Sequence, residues 1–172
     1  MLHLLFFRGH GLVPILVRLF CWHWWRGQRW QGVPAHVAIW DRDNKTEYEA
    51  IVTGIRSGHL AGLQETSGLV GIIPVSVPHL EAARVWLGEQ VGKPYGFLAA
   101  TATGLGILSP PALDKLWRTL WERLAGGRAG RTAPLDCSLL AQMALSAGGL
   151  DLLGRDDGLP VSPNDLLRNL KP

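Results

Sequence analysis

The chain has 172 residues, a length that suits one domain able to bury an apolar core without disulfides or metal. Hydrophobic residues make up 47% and charged residues 18%, which argues against a disordered tail and, given how often the apolar runs are interrupted, against a membrane bundle. The net charge of +3 comes without the dense basic stripe and stacking aromatics of a nucleic-acid module, so no nucleic-acid partner is expected.

In chain order, residues 3–7 form a short buried strand ending at Gly9 and Gly11. No basic residue precedes this run, Arg8 breaks it and no small-residue cleavage site follows, so it makes a poor signal peptide and a cytoplasmic or virion-associated location is expected. Cys21 and Cys137 lie too far apart to suggest a disulfide framework, in keeping with a reducing compartment. Residues 13–20 have helical length and start beside Pro14. The loop 22–32 carries Trp22, Trp24, Trp25 and Trp30 among Arg26, Gln28 and Arg29, and serves either as a binding rim or as a cap on the core. Residues 36–40 are a compact apolar run, the polar turn Asp41-Arg42-Asp43-Asn44-Lys45 follows, and a second run over 48–55 completes a hairpin. A further strand covers 69–77, with Pro74 placing it at an edge or bulge.

From Pro78 the period changes. Leu80, Ala83, Leu87 and Val91 line one helical face, and Gly92 stops it. Residues 94–113 carry no charge, but their glycines and the pair Pro110-Pro111 make them a buried or partner-covered segment, with membrane contact not favoured. Over 113–124, Leu113, Leu116, Trp117, Leu120, Trp121 and Leu124 form a wide apolar stripe that packs on the domain or docks a protein partner. The basic, glycine-rich linker 126–131 invites comparison with a phosphate loop, yet Arg131 stands where lysine is needed, Ala125 where the first glycine is needed, and no strand precedes it. The whole is read as one α+β domain over 1–172 with an apolar, helical insert around 96–131.

The chemistry gathers after Pro134. Asp136 is an N-cap, and Leu140, Met143, Ala144 and Ala147 recur at helical spacing up to Gly148 and Gly149. Cys137 then occupies the first helical turn, where free N–H groups and the helix dipole favour a thiolate. Its partner is expected to be His36, which opens a strand after Gly-Val-Pro-Ala and so sits at a sheet rim. A carboxylate on the neighbouring strand would orient the imidazole, and Glu49 and Glu47 share that strand and, by period two, its face. Cys21-Trp22-His23 is a rival pair, but adjacent loop residues cannot easily align sulfur with imidazole. His3, His10, His59 and His79 show no zinc-ligand spacing, so no metal and no cofactor is expected.

Pro34-Ala35-His36-Val37-Ala38-Ile39, then Tyr48-Glu49-Ala50 with Gly54 and Ile55, then Gly92-Lys93-Pro94-Tyr95, then Asp136-Cys137-Ser138-Leu139-Leu140, resemble the circularly permuted branch of the NlpC-type papain-like superfamily. YiiX-like amide hydrolases and, more distantly, lecithin retinol acyltransferase belong there. Arg8-Gly9 and Ser162-Pro163-Asn164-Asp165-Leu166 extend the likeness over nearly the whole chain. Gly96 and Leu139 depart from it, standing where such proteins often carry acidic residues. The resemblance implies a small antiparallel sheet packed on helices, with Cys137 as nucleophile at a helix N-terminus, His36 as base and Glu49 as orienting group. It implies a cysteine peptidase or amidase acting on peptidoglycan or a peptide through a thioester acyl-enzyme. The alternatives are a lipid acyl hydrolase or acyltransferase fed along residues 99–108, and a non-catalytic bacteriophage-tail or assembly module whose contact surface is the tryptophan loop.

Overall fold

The computed structural model describes residues 1–8, 34–59, 68–96, 135–152 and 162–170. The expected helix over 13–20, the tryptophan loop with the Cys21–His23 pair, the stripe over 113–124 and the linker over 126–131 lie outside the described residues. Within them, five strands and three helices form an α+β arrangement. None of these helices is long and apolar enough to cross a membrane.

The strands are β1 (Leu2–Phe7), β2 (His36–Asp41), β3 (Thr46–Ile51), β4 (Gly54–His59) and β5 (Leu69–Val75). They make one antiparallel sheet in the order β4-β3-β2-β1-β5. β1 lies between β2 and β5 and is buried along its full length, which explains why it is apolar at nearly every position rather than at alternate ones. β5 lies at the edge, the place in a sheet where a proline such as Pro74 is tolerated.

The single run expected over 48–55 is divided in the structure. β3 ends at Ile51, the chain turns through Val52 and Thr53, and β4 begins at Gly54 to form a second hairpin. Apolar patterning alone runs straight through this point. The turn is set by Gly54, whose φ of +125° suits glycine alone and whose Cβ, were one present, would meet the Lys93 carbonyl oxygen at 2.9 Å.

Alternation gives the sheet two different faces. Leu2, Leu4, Phe6, Val37, Ile39, Ala50, Ile55 and Val75 join one apolar core with α1 (Leu80–Gln90), α2 (Cys137–Ala147) and α3 (Pro163–Leu170). The other face carries Leu5, Phe7 and Ala38 beside His36, Trp40, Glu47 and Glu49.

One ion cluster ties α1 to the sheet. Asp41, fully buried at the end of β2, accepts hydrogen bonds from Arg84 Nε at 2.7 Å, Arg84 Nη2 at 2.8 Å and Asn44 Nδ2 at 2.8 Å. Burial alone would raise the Asp41 pKa, and the Arg84 hydrogen bonds and charge outweigh it and lower the value. The contribution of this pair to stability is therefore present above the ordinary value of 3.8 and is lost as pH falls through the lower folded value. Arg84→Met should destabilise the protein by about 3–5 kcal/mol near neutral pH, because it strands a buried carboxylate. Urea denaturation measures this, and Arg84→Met combined with Asp41→Asn should recover much of the loss.

Candidate functional site

Cys137 is the first residue of α2. The Asp136 carboxylate caps that helix by accepting from Leu139 N at 2.8 Å, and the Asp136 carbonyl accepts from Leu140 N at 2.9 Å. The N–H groups of Cys137 and Ser138 have no intrahelical partner and point out of the helix start with its dipole. Cys137 is buried at 8% exposure, and its sulfur lies 3.8 Å from Ser138 Oγ.

His36 is the first residue of β2. The pleat assigns it to the face of Ala38 and Trp40, away from the core against which α2 packs. As the terminal residue it is at the rim, however, and Cys137 is the first of the influences that raise its pKa there. On its other side, His36 Nε2 donates to Glu49 Oε2 at 3.2 Å. With Nε2 engaged by Glu49, Nδ1 is the ring nitrogen left to the sulfur.

Of the two carboxylates on β3, it is Glu49 and not Glu47 that reaches the imidazole. The second oxygen of Glu49 accepts from Arg56 of β4, its directly opposed neighbour. Glu49 thus holds both oxygens engaged while 5% exposed, and the hydrogen bonds and charges of His36 and Arg56 lower its pKa against the raising effect of burial. Arg56 was not singled out from the sequence, since the run over 48–55 concealed the second hairpin. A turn at Val52-Thr53-Gly54 was the available signal.

Tyr95 is a second group that residue patterns did not assign. Gly92 N donates to the Ile55 carbonyl at 2.8 Å and Ile55 N to the Lys93 carbonyl at 2.9 Å, anchoring the Gly92-Lys93-Pro94-Tyr95 segment to β4. Tyr95 then pairs in parallel with Leu135, and Gly96 N donates to the Leu135 carbonyl at 2.9 Å, just before the α2 cap. Burial first, then the charges of Cys137 and Asp136, raise the Tyr95 pKa. It therefore remains a neutral phenol within the electrostatic reach of the sulfur.

Burial by itself would lower the His36 pKa. The charge and hydrogen bond of Cys137, followed by those of Glu49, more than reverse this and raise it to about 10. Comparison with protein-family models, with curated proteins and with solved structures gave no match. Among the described residues no three His, Cys, Asp or Glu side chains converge as metal ligands do.

The folded value of His36 lies above its ordinary 6.5, so the stabilisation it supplies is complete below pH 6.5 and is lost as pH rises through about 10. In an NMR titration the His36 ring should keep its proton past pH 9. Cys137→Ala should bring the midpoint down, since the sulfur is the foremost raising influence. A midpoint near 6.5 in both proteins would contradict the pairing.

Proposed function

We propose that this protein is a cysteine hydrolase that cleaves an amide bond through a thioester acyl-enzyme, on a permuted papain-like fold. The observation that carries this reading is the His36–Glu49 pair at a sheet rim, with Cys137 at a helix N-terminus as the foremost influence raising the pKa of that ring. The order histidine, carboxylate, cysteine along the sequence, and the α+β arrangement around them, support the resemblance to the permuted NlpC-type branch. Peptidoglycan stems or peptides are the substrate class that resemblance suggests.

In this mechanism the Cys137 thiolate, paired with the His36 imidazolium, attacks the scissile carbonyl carbon. The carbon–sulfur bond forms as the carbonyl π pair moves onto oxygen. The Cys137 and Ser138 N–H groups at the helix start stabilise that oxyanion. His36 then gives its Nδ1 proton to the leaving amine, the carbon–nitrogen bond breaks and the thioester remains. A water molecule, losing its proton to the same nitrogen, attacks the thioester and releases the acid, and the returning imidazolium re-forms the pair with sulfur. Glu49 supports the imidazolium from Nε2 throughout, and Arg56 keeps Glu49 ionised and in place. Tyr95, held neutral, is a further donor at the site.

An activity-based thiol probe compared across wild type, Cys137→Ala and Cys21→Ala tests the reading. Labelling should be lost in Cys137→Ala alone, and a panel of peptide amides and fatty-acyl esters should show turnover of the amides. Equal, slow labelling of both cysteines would favour a binding module, and turnover confined to the esters would favour the lipid acyl chemistry.

A further inference from the structure

Glu47 is a buried carboxylate that the proposed mechanism does not use. It lies two residues before Glu49 on the same face of β3, opposite Trp40 of β2 and Gly58 of β4. It is 1% exposed, and neither of its oxygens has a hydrogen-bond partner among the described residues. The contrast with its neighbours is sharp. Asp41 and Glu49, the other buried carboxylates of β2 and β3, each hold an arginine and a second donor.

A purely structural carboxylate would be bonded in the same way, because an ionised group without donors in a buried place is costly. Among the described residues, the charged groups that act on Glu47 are those of the site. Glu49 flanks it on its own strand, and His36 of β2 and Arg56 of β4 act on it across the sheet. From β1, His3 lies on the same face beyond Trp40, its ring 5.1 Å from the indole. Burial foremost, and then the charge of Glu49, push the Glu47 pKa up to about 7, while His36 and Arg56 oppose the rise. Its charge therefore changes close to neutrality, whereas Glu49 stays ionised.

We propose that Glu47 is a positioning residue, whose gain or loss of a proton sets how firmly the neighbouring His36–Glu49 pair holds the imidazolium. When Glu47 is ionised, a second negative charge beside Glu49 favours protonated His36. When Glu47 is neutral, Glu49 acts alone. The consequence for Cys137 rests on the hydrolase reading, and the effect on His36 does not.

The test uses wild type, Glu47→Gln and Glu47→Asp from pH 5 to pH 9. It has two readouts: the NMR shift of the His36 ring, and the rate of iodoacetamide alkylation followed at Cys137 by peptide mass. In wild type the ring shift should show a step near pH 7, with the alkylation rate rising through the same step. Glu47→Gln should lose both steps, and Glu47→Asp should keep a step in each. Thermal melting separates a folding defect from this effect. Glu47 has a folded value above its ordinary 4.5, so the stability it gives is complete below pH 4.5 and falls as pH rises through about 7. Glu47→Gln should accordingly melt higher than wild type at pH 8. A ring-shift profile in Glu47→Gln that keeps the wild-type step overturns the proposal. Loss of the ring-shift step, with an alkylation rate indifferent to pH in every variant, would uphold the influence on His36 and count against the hydrolase reading instead.

Discussion

The meeting of two element ends, the first residue of β2 and the first turn of α2, is the constraint on which the rest of the site depends. The two residues belong to opposite faces of the sheet: Cys137 joins the helical core, while the pleat sends His36 to the face of Ala38 and Trp40. Being terminal, His36 lies at the rim of the sheet rather than behind its middle. Two residues further into β2, the side chain of Ala38 is sealed against Leu5 and Phe7. A histidine at that position would face away from the sulfur.

This arrangement divides the environment of the catalytic groups proposed here. On the core side, the α2 start supplies N–H groups and a favourable dipole for negative charge. On the other side, Glu49 and Arg56 supply a bonded, ionised pair that stabilises positive charge on the ring. The His36 ring and the helix start that carries Cys137 are therefore each supported from behind. The loop from Gly92 to Tyr95 closes the third side, and its position follows from the close approach of the Lys93 carbonyl to Gly54. Gly54 thus connects the turn between β3 and β4 to the placement of Tyr95 beside the α2 cap.

Much of this was legible in the sequence where local rules decide. The compact apolar run of residues 36–40, the Asp136 cap, the glycines that close α2 and the edge-or-bulge place of the Pro74 strand follow from apolar patterning, capping and backbone chemistry. Two features were not legible, for physical reasons. Glu47 and Glu49 share a strand face, so period two cannot say which meets His36. That depends on the register between β2 and β3, in which Trp40 opposes Glu47 and leaves Glu49 nearer to the rim. Arg56 was hidden because the apolar run over 48–55 continues through a turn that glycine geometry sets, not hydrophobicity. The neutral phenol of Tyr95 depends on contacts between segments forty residues apart in the chain, at Tyr95 and Leu135, which no local pattern contains.

The central claim is that His36 activates Cys137 across the rim, and the most direct measurement is the second-order rate of Cys137 alkylation by iodoacetamide at pH 6 in wild type and in His36→Ala. At that pH an unassisted thiol is almost wholly protonated and reacts slowly, whereas a thiolate held by an imidazolium reacts readily. Loss of the ring should slow the reaction by at least about tenfold while the fold is retained. Equal rates in the two folded proteins would show that His36 does not act on Cys137, and would contradict the proposed site.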